Sequence, residues 1–133
     1  MKHIDIYMNA ILQQSGLDLT KNQILVLRLI NAGMKNQSDL SVITESNKSS
    51  LSRIIKSLEK KGYVEKATHK DDKRQQLVEL TNEGEKKLDQ AVPIMEYTFQ
   101  KIEKGIDLKE LELARNVIAQ LLENVESELE RLN

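Results

Sequence analysis

The sequence predicts a mostly helical protein with one small β-hairpin. Only one proline and five glycines interrupt its 133 residues, which leaves room for long helices. Apolar residues recur at helical spacing in most segments, whereas two short β-prone stretches near the middle flank a polar turn. These observations predict four helices, then the hairpin, then two further helices.

The first three helices are predicted from apolar spacing and from caps. Residues 3–14 repeat apolar side chains at helical spacing. Thr20-Lys21-Asn22-Gln23 is a capping box, and it begins a helix that ends near Gly33. Asn36-Gln37-Ser38-Asp39 is a second cap, and it begins a short helix that ends near Thr44.

A fourth helix and the hairpin follow. The helix, residues 48–61, ends at Gly62 and carries one apolar stripe formed by Leu51, Ile54, Ile55 and Leu58. The β-prone stretches are Tyr63–Thr68 and Gln76–Leu80. The connection before Lys48 has the length found in helix-turn-helix units, so three helices and a hairpin predict a winged helix-turn-helix.

Two long helices complete the predicted fold. Thr81 caps a helix over residues 82–104, in which Pro93 predicts a kink or a break by one turn. Asp107-Leu108-Lys109-Glu110 is a further capping box, and it begins a last helix with a wide apolar face.

The formal net charge of −1 is unevenly distributed along the chain. Residues 1–33 carry a net charge of +1, residues 34–76 carry ten basic and six acidic side chains, and residues 77–133 carry a net charge of −6. A basic middle beside an acidic tail is typical of a polyanion-binding segment joined to a segment that does not bind.

The polar face of the helix at 48–61 is the predicted reading surface. In a helix-turn-helix the second helix places its N-terminal residues on base edges in the major groove. Short hydroxyls allow close approach, and Arg or Lys can meet guanine acceptors. An ordinary amphipathic surface helix is the alternative. The predicted DNA contacts on this helix are Lys48, Ser49, Ser50, Ser52, Arg53 and Lys56.

The polar turn of the hairpin is the second predicted DNA contact. Its side chains for this role are Lys70, Lys73, Arg74 and Gln75. The negative potential of the minor groove attracts arginine, so a wing of this kind can lie along that groove. Asp72 suits a site near phosphates if it pairs with a neighbouring cation and shapes the turn. A solvated charged turn is the alternative.

Several linked motifs resemble the MarR family of transcriptional regulators over residues 17–84. The motifs are Leu19-Thr20-Lys21-Asn22-Gln23, Gln37-Ser38-Asp39-Leu40, Leu58-Glu59-Lys60-Lys61-Gly62-Tyr63-Val64, Asp72-Lys73-Arg74 and Leu80-Thr81-Asn82-Glu83-Gly84. The resemblance implies a homodimer that binds a palindromic operator, usually as a repressor released by a small ligand. It further implies that Arg74 enters the minor groove and that Gln37 and Ser38 contact phosphates.

Both chain ends predict a helical dimer interface. Residues 108–132 are too apolar on one side to cover only their own small domain, although packing within one chain is the alternative. We expect 1–16 and 82–133 to form the dimerisation region and 17–81 the DNA-binding region, in one compact domain overall. The predicted interface residues are Ile4, Tyr7, Ile11, Leu12, Leu111, Ile118, Leu121, Leu122, Val125 and Leu129.

The composition limits the remaining options. The chain has no cysteine, which excludes a thiol-oxidation switch, and neither His3 nor His69 has metal-ligand spacing, so no metal or other cofactor is expected. Two options remain for an effector: a small apolar or phenolic molecule in a crevice beside the dimer helices, or none.

Other functional classes fit the sequence less well. No nucleophile–base set and no glycine-rich phosphate loop is present, so we do not expect an enzyme. A winged-helix protein–protein module that does not bind DNA is the alternative function. The sequence has no apolar run of ~20 residues and no signal-peptide core, which predicts a cytoplasmic protein without a membrane partner.

Overall fold

The computed structural model describes residues 2–43, 48–68 and 76–133, and within them the chain forms six helices and a two-stranded hairpin. The mostly helical winged fold predicted from the sequence is confirmed. The elements are α1 (Lys2–Gln14), α2 (Lys21–Asn31), α3 (Gln37–Ile43), α4 (Lys48–Lys60), β1 (Val64–Thr68), β2 (Gln76–Leu80), α5 (Asn82–Ile102) and α6 (Leu108–Leu132).

The chain divides into two compact units, Met1–Thr98 and Phe99–Asn133. The first unit contains α1 to β2 and most of α5, whereas the second contains the end of α5 and all of α6. Residues 82–98 of α5 therefore belong to the unit that holds the helix-turn-helix elements. The residues of α5 that are buried there are Gly84, Leu88, Ala91, Met95 and Thr98.

The core of the first unit is formed by aliphatic side chains from several elements. Leu27 of α2, Leu40 of α3, Leu58 of α4 and Val78 of β2 are fully buried. In α4 the buried residues are Leu51, Ile55 and Leu58, which are three of the four members of the predicted stripe. Because that stripe faces the core, the polar face of α4 lies on the outside of the unit.

Local capping fixes where the helices begin. The Thr20 hydroxyl accepts from the Gln23 backbone N–H at 3.2 Å, and Gln23 Oε1 accepts from the Thr20 N–H at 3.0 Å, so the predicted capping box is confirmed. Asn36 Oδ1 accepts from the Ser38 N–H at 2.8 Å at the start of α3. At α6, Asp107 is the N-cap and accepts from the Lys109 N–H.

The helix α5 continues through Pro93, so the break that the sequence allowed does not occur. Proline has no N–H to donate to the preceding turn, and this normally weakens a helix. Pro93 is exposed, whereas Ala91 and Met95 on either side of it are buried. Tertiary packing of these neighbours keeps the helix continuous.

The hairpin is tied to the start of α3. β1 and β2 are antiparallel with a register from Val64↔Leu80 to Thr68↔Gln76. On its other edge β2 forms a bridge between Leu77 and Asn36, and the Val78 N–H donates to the Lys35 carbonyl at 2.9 Å. The Lys35 ammonium also pairs with the Glu79 carboxylate at 2.9 Å. The base of the wing is therefore held by the residues that begin α3.

Among the described residues, no helix is both long enough and apolar enough to cross a membrane.

Candidate nucleic-acid interface

One open concavity of about 530 Å³ collects most of the predicted reading residues. Gln37 comes from the first position of α3, and the other lining residues come from α4. All six lining residues were predicted as DNA contacts. They are Gln37, Lys48, Ser49, Ser52, Arg53 and Lys56.

The spacing along α4 explains why these side chains share one face. Lys48, Ser52 and Lys56 follow one another at intervals of four, so they lie above one another on the helix. Ser49 and Arg53 form the adjacent row with the same interval. Lys48, Arg53 and Lys56 are exposed, and the first turn of α4 carries no acidic residue. The concavity is therefore a polar surface with three cations and two short hydroxyls.

Two other predicted contacts do not line this concavity. Ser38 is exposed in the first turn of α3, next to Gln37, and its backbone N–H is bonded to Asn36. Ser50 is half-buried on α4 and has an interaction partner of its own. Ser38 is thus available to a phosphate beside the concavity, whereas Ser50 is less exposed than Ser49 on α4.

The predicted contacts in the wing lie outside the described residues. They are Lys70, Lys73, Arg74 and Gln75, together with Asp72, which was predicted to shape the turn. Their roles stay predictions.

The segment that follows α4 is anchored by polar contacts to the loop before α2. The Lys61 ammonium donates to the Asp18 backbone carbonyl. The Tyr63 hydroxyl donates to the two Asp18 carboxylate oxygens at 2.8 and 3.0 Å. The Lys87 ammonium lies 3.9 Å from the same carboxylate and 5.8 Å from the centre of the Tyr63 ring. These contacts were not anticipated from the sequence, because the partners are far apart along the chain.

Tyr63 is a structural residue of this anchor. Its side chain is only 7% exposed, and burial, reinforced by the hydrogen bond to the Asp18 carboxylate, raises the pKa of the Tyr63 hydroxyl to about 12. Met95 is buried as well, whereas Tyr7, Tyr97 and Phe99 are exposed. The last three are therefore the aromatic side chains with surface available to a ligand or a partner chain.

The two chain ends differ in how their predicted interface residues are placed. In α1, Leu12 is 1% exposed and packs inside its own chain, whereas Tyr7 is exposed and Ile4 and Ile11 are half-buried. The helix α6 contains no buried residue in its 25 positions. Its exposed apolar side chains are Leu108, Leu113, Val117, Ile118, Leu121, Leu122, Val125, Leu129 and Leu132.

The histidine and acidic side chains were also searched for groups that could hold a metal ion. Over residues 2–43, 48–68 and 76–133, no three His, Asp or Glu side chains are grouped so that they could hold a metal ion.

Comparison with known proteins gives consistent similarities. The MarR family profile matches residues 16–75. The uncharacterized HTH-type transcriptional regulator YdcH of Bacillus subtilis is 32% identical over 84 residues, which cover 59% of this chain and 57% of YdcH. The transcriptional regulator HosA of Escherichia coli is 32% identical over 107 residues, which cover 79% of this chain and 78% of HosA.

Solved structures are similar over nearly the whole chain. A crystal structure of a MarR mutant from Escherichia coli complexed with operator DNA matches with a TM-score of 0.81 and 26% sequence identity. The match covers 91% of this chain and 86% of that chain.

Proposed function

The chain belongs to the MarR family of transcriptional regulators, and from this premise we propose that it binds double-stranded DNA in a sequence-specific manner as a homodimer. The observation that supports the proposal most strongly is the concavity on α4. Its lining holds Lys48, Arg53 and Lys56 together with the short side chains of Ser49 and Ser52, on the face opposite the buried stripe.

In this proposal α4 enters the major groove. An α-helix fits a groove ~12 Å wide, and an arginine can donate two hydrogen bonds to the O6 and N7 acceptors of guanine. Arg53, which is exposed and lies one turn after Ser49, is the side chain that we assign to this contact. Lys48 and Lys56, one turn before and one turn after Ser52, neutralise phosphates on the two sides of the groove.

The wing supplies a second contact in the same proposal. Arg74 enters the minor groove and Asp72 pairs with a neighbouring cation to shape the turn. The base of the wing supports this arrangement, because Lys35 and Asn36 hold β2 beside the start of α3.

The apolar surface of α6 supports the homodimer. Side chains such as Leu122, which is 55% exposed in the single chain, cost free energy when they face water. A second copy covers them in our proposal, and the exposed side of α1 at Tyr7 contributes as well. Leu12 is not part of this interface, since it is already buried. Two-fold symmetry then places the two α4 helices in successive major grooves, roughly 34–36 Å apart, which requires a palindromic operator.

We also propose that the regulator is a repressor that a small apolar or phenolic molecule releases from DNA. The exposed aromatic side chain of Tyr97 is a group that such a ligand would contact. Addition of benzoates and phenols to the DNA complex tests this part. A regulator of chromosomal DNA works where the DNA is, so the proposal places the protein in the cytoplasm.

The deciding experiment is enrichment of duplexes from a random pool by the full chain, followed by anisotropy titrations of the enriched duplex across salt concentrations. DNA binding predicts an enriched palindrome and an affinity whose logarithm falls by about 0.9 per neutralised phosphate for each decade of salt. Arg53→Ala should relax base preference, whereas Arg28→Ala, an exposed arginine on α2, should not. No enrichment and no salt dependence would instead favour the winged-helix protein–protein module.

A further inference from the structure

Gln23 joins the start of α2 to the reading helix α4. Its side chain is 8% exposed. The Oε1 atom accepts from the Thr20 N–H at 3.0 Å and from the Lys61 ammonium at 3.4 Å. The Nε2 atom donates to the Ser57 hydroxyl at 3.1 Å. One buried amide therefore closes the capping box of α2 and contacts Ser57 of α4 and Lys61, the residue that follows α4.

The bond to Ser57 is more than helix capping requires. A capping box needs only the two reciprocal bonds between Thr20 and Gln23, and a glutamine that only caps could point its amide nitrogen to water. Here that nitrogen is turned towards α4. No buried side-chain nitrogen or oxygen of the described residues is left without a partner. A shift of α4 along α2 would leave the Gln23 donor buried and unpaired, which is costlier than the bond is favourable.

The start of α2 is itself fixed on α1. The Lys21 backbone N–H donates to Asn9 Oδ1 at 2.8 Å, and the Lys21 ammonium pairs with the Asp5 carboxylate. The residue before it, Thr20, is the partner of Gln23. A continuous set of polar contacts therefore runs from α1 through the start of α2 to α4.

We propose that Gln23 is a positioning residue for DNA reading: through Ser57 it fixes where α4 lies on α2, and so where Ser49 and Arg53 meet base edges. The inference rests on the proposed DNA binding. Gln23 does not line the concavity, so it acts through α4. A displaced reading helix still presents its cations to phosphates, but its base contacts lose their geometry. Sequence discrimination is therefore the property that Gln23 controls.

The test compares three single variants, the double variant of Gln23→Leu with Ser57→Ala, and one control variant. Each is measured on two duplexes, the one enriched from the random pool and a scrambled duplex of the same length and composition. Gln23→Leu removes every hydrogen bond of the Gln23 side-chain amide and keeps a side chain of similar size. Ser57→Ala removes only the contact on α4 and leaves the capping box intact. Gln23→Glu keeps every contact, because a carboxylate accepts from the Thr20 N–H, the Lys61 ammonium and the Ser57 hydroxyl. Asn22→Ala, at the exposed neighbouring position, is the matched control.

We expect Gln23→Leu and Ser57→Ala each to lower the ratio of specific to scrambled affinity by about tenfold. Ser57→Ala loses one hydrogen bond and leaves the Gln23 donor buried and unpaired, whereas Gln23→Leu loses every side-chain hydrogen bond of Gln23. Scrambled affinity should change by less than about twofold, since phosphate contacts are retained. The double variant should lose no more than the larger single loss, because both substitutions remove the same bond. Gln23→Glu and Asn22→Ala should keep the wild-type ratio.

A wild-type ratio in both Gln23→Leu and Ser57→Ala would overturn the inference and leave Gln23 a helix cap, even if urea unfolding showed lower stability. If Gln23→Leu does not fold, the affinity ratio of Ser57→Ala is sufficient to test the inference. A wild-type chain that binds the enriched and the scrambled duplex equally well would refute the proposed function itself. That result differs from the one that overturns only the role of Gln23, in which the wild type and the variants all prefer the enriched duplex.

Discussion

Gly84 stands where the first turn of α5 meets the backbone of Tyr63, just before β1, and Gly84→Ala should destabilise the fold. A Cβ atom at this position would lie 2.0 Å from the Tyr63 carbonyl oxygen and 2.9 Å from a Leu80 methyl carbon. Real Cβ atoms essentially never approach within 3.0 Å, so the backbones must separate by about 1 Å. The same Tyr63 carbonyl accepts from the Thr81 N–H at 3.1 Å, and the separation would strain that bond.

The expected loss follows from three contributions. Overpacking of a filled site costs about 1–3 kcal/mol, and a weakened backbone hydrogen bond adds about 1 kcal/mol. Alanine regains about 1 kcal/mol over glycine inside a helix. The net free energy of unfolding should therefore fall by about 2 kcal/mol, which lowers Tm by roughly 8 °C in a chain of this size.

Urea and thermal unfolding followed by circular dichroism measure this effect, at one fixed protein concentration because the proposed dimer would make stability depend on concentration. Gly105→Ala is the matched control: the glycine has φ +83° and no atom lies within 4 Å of the place that an alanine Cβ would take, so alanine there meets backbone strain without a clash. We expect it to cost about 1 kcal/mol. A Gly84→Ala variant at least as stable as Gly105→Ala would refute the steric reasoning.

Three further predictions concern the anchor, the concavity and the dimer. Wild-type stability should fall between pH 10 and about 12, because the Tyr63 hydroxyl ionises near 10 when unfolded and near 12 when folded; Tyr63→Phe should lack that part of the loss in urea titrations. Lys56→Ala should weaken all duplexes about equally and reduce the salt slope by about one, and a sequence-selective loss would contradict its phosphate assignment. Leu122→Glu should raise the dimer dissociation constant by at least ~100-fold in sedimentation, whereas Gln120→Glu should not; an intact Leu122→Glu dimer would exclude α6 from the interface.

Local chemistry made much of the fold predictable. Thr20 and Gln23 are three residues apart, so their capping box depends on nothing beyond the start of α2. The apolar residues of α4 recur at helical spacing and form one buried face. The polar residues of α4 therefore lie together on the opposite face. These two local patterns predict α2, α4 and the polar face of α4 without any information on tertiary contacts.

Contacts between distant segments were not predictable in the same way. Gln23 meets Ser57 at a separation of 34 positions, and Asp18 meets Tyr63 at a separation of 45. Helical periodicity cannot distinguish an apolar residue that packs inside its own chain from one that contacts a partner chain, so the spacing in α1 predicts Leu12 and Tyr7 for the interface alike. At Pro93, intrinsic propensity was overridden by the packing of the residues around it.

The attachment of β2 to the start of α3 has a consequence for the order of folding. Lys35 and Glu79 are 44 positions apart, and a two-stranded ribbon without further support is marginally stable in water. The chain must overcome the entropy of closing that long loop before Lys35 and Asn36 can pair with β2. The contacts that join α2, α3 and α4 span shorter separations along the sequence. The wing should therefore mature late, so that a refolding chain acquires its reading helix first and its hairpin afterwards.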